Sequence, residues 1–212
     1  MAKNGLIEDE RVKRAMLGVD RAHYAPYAAY EDSPQPIGHD ATISAPHMHA
    51  NACSSLLPYL HSSAKVLDIG SGSGYLTHVL AELIKPSGTV IGIEHIQPLV
   101  DLSTRNMGKS EEGRSLLQSG TVKFIKADGR KGWAEGAPYD AIHVGAAAVE
   151  IHQELVDQLK APGRLFIPAE DRGSGGFGEQ YIFVVDKKED GTVERKRLYG
   201  VRYVPLTNAP KE

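Results

Sequence analysis

Cysteine is nearly missing: the 212 residues contain one, Cys53. A lone thiol excludes any intrachain disulfide and fits a reducing compartment. Long apolar runs are missing too. No stretch of 18 apolar residues occurs, and the opening MAKNGLIEDERVKRAML lacks the apolar core of a secretory signal. A cytoplasmic protein without a membrane partner is therefore expected. Excess positive charge is also lacking: 24 Lys and Arg stand against 27 Asp and Glu, a net charge of −3. A chain built to grip phosphate backbones would be basic, so no nucleic-acid partner is expected. There is no internal repeat and no low-complexity segment. The length suffices for a full core in one domain.

What is present divides into two grammars. Over residues 8–19, Val12, Ala15, Met16 and Val19 recur at helical spacing and predict a short amphipathic helix. Residues 24–46 are rich in Pro, Tyr, Ala and Ser and read as a long irregular connection. From residue 65 short apolar runs alternate with helical patterns. KVLDIG (65–70), TVIGIE (89–94), VKFIKAD (122–128), YDAIHVG (139–145) and GRLFIPA (163–169) read as strands. Residues 75–84, 98–107 and 149–160 read as helices between them. Alternation of this kind predicts an α/β fold with a largely parallel sheet covered on both faces. Two further strand-like runs flank Asp190-Gly191, a hairpin signal, so the sheet is expected to end in an antiparallel pair.

The sharpest motif is VLDIGSGSGYLT (66–77), where Gly70, Gly72 and Gly74 separate a strand from a helix. Glycines let the turn tighten and a ligand approach the backbone; a plain tight turn is the alternative. A Walker loop needs a lysine that is not there, and the G-x-G-x-G spacing departs from the dinucleotide fingerprint G-x-G-x-x-G. Asp68, two residues before the first glycine, is a poor neighbour for a pyrophosphate but suits a cation. S-adenosylmethionine, with an ammonium and a sulfonium, is such a ligand. Glu94 ends the next strand, where an acid accepts hydrogen bonds from ribose hydroxyls; it could also be a helix-start acid. Asp128 ends the third, within reach of an adenine amino group, or else forms an Asp-Gly turn. Three acids at the carboxyl ends of three successive strands mark the edge where open α/β sheets bind ligands.

The second candidate is DATISAPHMHA (40–50), with His39 just before it. Pro46 looks like the first-turn residue of a helix over roughly 46–57. On such a helix His47 and His49 lie roughly 200° apart, which argues against a shared metal, so no metal site is expected. Ser44 is a candidate hydrogen-bond donor to a carboxylate, with free backbone N–H groups at the helix start favouring an anion; capping of that helix by Ser44 or Ala45 is the alternative. His143 reads as a packed strand residue, Cys53 as a small buried one. Trp133 and Tyr139 are expected to cover apolar surface, and ERKRLYGVR to be a solvated strand face.

YEDSPQPIGHDATISAPHMHA, LDIGSGSGYLT, VIGIEHI, DGRKGWAEGAPYDAIHVGAAA, LKAPGRLFIP and YVPLT together span nearly the whole chain. In these segments it resembles the protein-L-isoaspartate (D-aspartate) O-methyltransferases, within the class I S-adenosylmethionine-dependent methyltransferases. The resemblance implies a Rossmann-like doubly wound three-layer sandwich with a seven-stranded sheet. It implies methylation of the α-carboxylate of L-isoaspartyl residues and the side-chain carboxylate of D-aspartyl residues in damaged proteins, initiating repair through a succinimide. S-adenosylmethionine would lie against Asp68, Gly70, Ser71, Gly72, Glu94, His95, Asp128 and Gly129. The acceptor would lie near Ala41, Thr42, Ile43, Ser44 and His49, and near Val204, Leu206 and Thr207. A monomeric single domain over residues 1–212 is expected, with an N-terminal acceptor region (1–60) and a donor-binding core with the C-terminal strands (61–212). Two features depart from the family pattern. Glu94 stands where relatives often have Asp, and animal relatives carry a longer helix before the segment matching Lys3-Asn4-Gly5.

The chemistry agrees. A carboxylate with a reference pKa of about 4 is already ionised at neutral pH, so the reaction needs orientation and desolvation rather than a strong base. Base methylation would call for an Asn/Asp-Pro-Pro-aromatic motif after the fourth strand, where this chain reads YDAIHVGAAAVE. Metal-dependent catechol methylation would need an oxygen-ligand cluster near the donor, which Gly145 to Ala148 do not supply. A nicotinamide oxidoreductase is opposed by Asp68 and the glycine spacing. A binding module is opposed by the joint presence of donor and acceptor motifs.

Overall fold

The computed structural model describes residue 7, residues 9–171 and residues 178–208. Helix α1 (Glu10–Gly18) starts where Asp9 caps it, its carboxylate accepting from the N–H groups of Arg11 and Val12 at 2.8 and 3.3 Å. The start is thus two residues later than the apolar spacing suggests. Residues 1–6 and residue 8, with the Lys3-Asn4-Gly5 segment, lie outside the described residues. Val12, Ala15 and Met16 form the buried face.

The segment read as irregular contains an antiparallel hairpin, β1 (Gln35–Gly38) and β2 (Ala41–Ile43). Its two-residue loop, His39-Asp40, has φ of 53° and 56°. Hairpin loops of this hand favour Asn-Gly, so the sequence carried no turn signal there. Left-handed conformation costs non-glycine residues about 1–2 kcal/mol each. Helix α2 (Pro46–Leu56) follows directly.

Then come β3 (Lys65–Ile69), α3 (Tyr75–Leu83), β4 (Thr89–Glu94), α4 (Gln97–Met107), α5 (Glu111–Gln118), β5 (Val122–Lys126), β6 (Tyr139–Val144), α6 (Gln153–Asp157), β7 (Leu159–Glu170), β8 (Gln180–Lys187) and β9 (Val193–Val201). The seven strands β3 to β9 form one sheet in the order β5-β4-β3-β6-β7-β8-β9. Strands β3 to β7 run parallel, and β8 and β9 close it antiparallel, around a turn with Gly191 at φ 83°. The core alternates along the strands. Val66, Ala141, Phe166 and Val184 join the cluster under α1, α2 and α3, and Leu67, Ile142, Leu165 and Val185 the cluster under α6. Among the described residues no helix is long and apolar enough to cross a membrane.

Two further elements differ from the sequence reading. The helix expected over 149–160 shrinks to Gln153–Asp157. Upstream, Ala147 bridges Pro205 and Ala148 bridges Ala169; downstream, Leu159 already begins β7. Helix α5 carried no apolar signal strong enough to be read; Ser110 caps it by accepting from Gly113 N–H at 3.0 Å. The winding matters for function. The chain runs outward from β3 through β4 to β5, then crosses back to place β6 on the other side of β3. The carboxyl ends of β3 and β6 therefore flank the reversal point, where open sheets leave a crevice.

Candidate active site

The crevice holds two hollows that share a wall. The larger has a volume of about 260 Å³ and is lined by Gly70, Gly72, Glu94, His95 and Gly129 from the strand ends. His39, Asp40, Ala41 and Thr42 of the hairpin face them, and residues 204–208 close the far side. The smaller is a cleft of about 30 Å³ bounded by Thr42, Ile43, Ser44 and His49 on one side and by Asp68, Ser71 and His143 on the other. Thr42, Gly70, Gly72 and Gly145 line both.

The glycine turn is built for close approach. Gly70, Gly72 and Gly74 all have positive φ, 75°, 51° and 86°. The N–H groups of Gly70 and Ser71 both donate to the Ile93 carbonyl, at 2.9 and 3.1 Å. Gly145 N–H donates to the Ile69 carbonyl at 2.7 Å, which ties the end of β6 to that of β3.

Asp68 is 1% exposed and uses both oxygens. Thr77 Oγ1 donates to one at 2.6 Å, and His143 Nδ1 lies 2.8 Å from the other. The carboxylate is thus held rigidly at the floor of the smaller cleft. His143 is packed, as expected, but it also belongs to the site, which the sequence reading missed. A signal existed: Asp68 and His143 each stand two residues before a strand-ending glycine, and parallel pairing puts them in register.

Glu94 has one oxygen accepting from His95 N–H at 2.8 Å and the other from Gly72 N–H at 3.3 Å. A carboxylate has about four acceptor positions, so two remain for ligand hydroxyls in the larger hollow. His95 packs its Nδ1 3.1 Å from the Thr207 carbonyl, closing that wall. Gly129 is tight: an added Cβ would lie 2.5 Å from Ile69 Cγ2. Asp128 is placed differently from the expectation. Its carboxylate is gripped by the Arg130 guanidinium at 2.9 and 2.8 Å and caps a 3-10 turn, which holds it below the usual carboxylate range. It borders a separate surface hollow with Arg130 and Lys126, not the larger one.

The residues assigned to the acceptor split. Thr42, Ile43, Ser44 and His49 line the smaller cleft. Ala41, Val204, Leu206 and Thr207 line the larger hollow instead, because Ala147 exchanges hydrogen bonds with Val204 and Leu206 at 2.8 and 2.7 Å and draws this segment across it. The expected anion site at the start of α2 is already filled. Pro46 has no N–H, and His47 N–H donates to the Asp32 carboxylate at 3.1 Å. His47 turns its ring to Asp32 as well, at 2.9 Å, while His49 turns inward. Burial, then the nearby Arg21 cation, holds His49 well below the usual histidine range. Burial raises the Cys53 thiol and keeps it inert. No side chain caps α2, and Ser44 Oγ has no hydrogen-bond partner among the described residues, so it is free to serve the cleft.

These residues fit S-adenosylmethionine. A fixed anion, Asp68, floors the smaller cleft next to the glycines of the shared wall, and Glu94 offers its spare acceptor positions in the larger hollow. The comparisons with known proteins agree. The family model "Protein-L-isoaspartate(D-aspartate) O-methyltransferase (PCMT)" matches residues 1–211. Protein-L-isoaspartate O-methyltransferase of Caenorhabditis elegans is 46% identical over 212 residues, covering 100% of this chain and 91% of that protein. Protein-L-isoaspartate O-methyltransferase 2 of Arabidopsis thaliana is 47% identical over 98% of this chain, which spans 66% of that protein. A crystal structure of a putative protein-L-isoaspartate O-methyltransferase from Plasmodium falciparum, in complex with S-adenosyl-L-homocysteine, superposes with a TM-score of 0.88 at 35% identity, covering 98% of this chain and 95% of that one. The chain belongs to the protein-L-isoaspartate (D-aspartate) O-methyltransferase family.

Proposed function

We propose that this chain methylates the free α-carboxylate of L-isoaspartyl residues, and the side-chain carboxylate of D-aspartyl residues, in damaged proteins and peptides. The observation that carries the reading is the pair of hollows meeting at Thr42, Gly70, Gly72 and Gly145: the larger suits a nucleoside, and the smaller sets the Asp68 carboxylate on one side against Ser44 and His49 on the other, so a cationic donor end and an acceptor can meet there. When bound, S-adenosylmethionine supplies a methyl group on a sulfonium; as a carboxylate oxygen bonds to the methyl carbon, the C–S pair stays on sulfur, leaving S-adenosylhomocysteine and a methyl ester.

The chain's residues orient rather than activate. Glu94 receives the ribose hydroxyls, and Asp68, braced by Thr77 and His143, faces the ammonium. Ala127 and Gly129 line the larger hollow where the adenine would lie, while the Asp128 carboxylate is committed to Arg130. Ser44 Oγ donates to the acceptor carboxylate. Desolvation in the narrow cleft does the rest, since the nucleophile is already ionised. Methylation then makes the carbonyl a better electrophile. The neighbouring backbone nitrogen closes a succinimide with loss of methanol, and hydrolysis of the ring returns part of the chain to normal aspartate.

The same reading takes residues 1–60 as the acceptor region and 61–212 as the core of one domain. It takes the enzyme as a cytoplasmic monomer without nucleic-acid or membrane partners, supported by its balanced charge and single buried thiol. Equilibrium dialysis of labelled S-adenosylmethionine against NADH tests the donor. Saturable binding of the first alone is expected, and tight binding of NADH alone refutes the reading.

A further inference from the structure

The acceptor cleft has a buried cation behind it. Arg21 begins a short 3-10 turn after α1, and only 5% of its surface is exposed. Its Nη2 donates to the Ser44 carbonyl at 2.7 Å, and its Nη1 lies 3.3 Å from His49 Nδ1. The guanidinium stacks over the Tyr75 ring, 4.9 Å from its centroid. Among the described residues no carboxylate lies within ion-pair distance of it, the Tyr75 hydroxyl and Asp32 only partly offset its burial, and its Nε has no hydrogen-bond partner. An unpaired buried guanidinium is costly, and a fold keeps one only where its surroundings repay the cost.

Its two hydrogen bonds decide what the cleft presents. A guanidinium only donates, so His49 Nδ1 must accept. The ring proton then sits on Nε2, which has no partner among the described residues, on a ring that lines the cleft beside Ser44. Protonation of His49 would put a second cation against Arg21, with His143 and His47 also nearby. The grip on the Ser44 carbonyl fixes the main chain from which Ser44 Oγ is aimed. We propose that Arg21 is the positioning residue of the acceptor site: it aims Ser44, locks His49 as the neutral Nε2–H tautomer, and so presents a pair of donors to the acceptor carboxylate.

This rests on the methyl-transfer reading but is tested apart from it. Arg21 does not line the larger hollow where the nucleoside end of the donor would lie, and it does not touch Asp68, so its loss should leave donor binding little changed. Lysine in its place would keep the charge but lose the fork that reaches two acceptors at once.

Long-range ¹H–¹⁵N spectra of histidine-labelled wild-type protein report which ring nitrogen of His49 bears the proton. Nε2–H with a bare Nδ1 is expected, and Nδ1–H overturns the proposal whether or not any variant folds. In Arg21→Met the KM for an L-isoaspartyl peptide should rise about tenfold or more, the scale of a lost charge-assisted hydrogen bond, with the S-adenosylhomocysteine Kd within about twofold. Arg21→Lys should fall between. An unchanged peptide KM in Arg21→Met, or equal weakening of peptide and donor, refutes the positioning role. Wild-type turnover on the peptide is the separate control: its absence would sink the methyl-transfer reading and leave the tautomer result standing.

Discussion

Replacing Glu94 with glutamine keeps the side-chain volume and removes the charge. In the native site one oxygen accepts from His95 N–H at 2.8 Å and the other from Gly72 N–H at 3.3 Å, leaving each a free acceptor position toward the larger hollow. Glutamine retains one such oxygen. Its NH₂ group, placed where the second oxygen was, meets the Gly72 N–H donor to donor and presents a donor to the ligand. One hydrogen bond to a charged group is therefore lost outright, about 1.5–3 kcal/mol, which is roughly a 10- to 150-fold weaker donor. Calorimetric titration with S-adenosylhomocysteine measures it without turnover, and circular dichroism checks that the fold persists. A Kd within about twofold of wild type would refute the assignment of Glu94 to the ribose.

Three other outcomes follow from the geometry. Ser44→Ala should lower kcat by about tenfold or more, with donor Kd unchanged, since a single hydrogen bond to a charged acceptor is removed; initial rates and calorimetry separate the two. Gly74→Ala should cost about 2–4 kcal/mol in urea unfolding, combining a left-handed φ of 86° with a Cβ lodged 2.9 Å from Ser103 Cβ. His78 is buried, with Nδ1 hydrogen-bonded to the Tyr24 hydroxyl at 2.5 Å, and burial lowers its pKa from 6.5 to about 4. The unfolded chain therefore takes up the proton first. Stability is full above pH 6.5 and falls by about 3 kcal/mol as pH drops to 4, a loss that His78→Gln should lack in acid unfolding curves.

The parallel core was legible because β3, β4 and β6 read as apolar runs ended by glycines or acids, a pattern that local sequence dictates. The hairpin β1–β2 was hidden because His39 and Asp40 adopt positive φ without the glycine that usually signals such a turn. The shortened α6 was hidden because the pairings Ala147–Pro205 and Ala148–Ala169 join residues far apart in sequence. The same long-range pairing moved Val204, Leu206 and Thr207 from the expected acceptor side to the larger hollow. In the site, Asp68, Glu94 and the glycines stand where strand ends put them. Asp128 does not, because its capture by Arg130 two residues later depends on a turn that periodicity cannot show. Arg21 carried no motif at all; only the fold brings it to Ser44 and His49.

The central claim is that the smaller cleft receives the carboxylate of a rearranged aspartyl residue. Transfer of a labelled methyl group from S-adenosylmethionine to two peptides that differ only in carrying L-isoaspartate or L-aspartate tests it most directly. Base-labile methyl ester on the isoaspartyl peptide alone is the result predicted. Equal labelling of both peptides would contradict it.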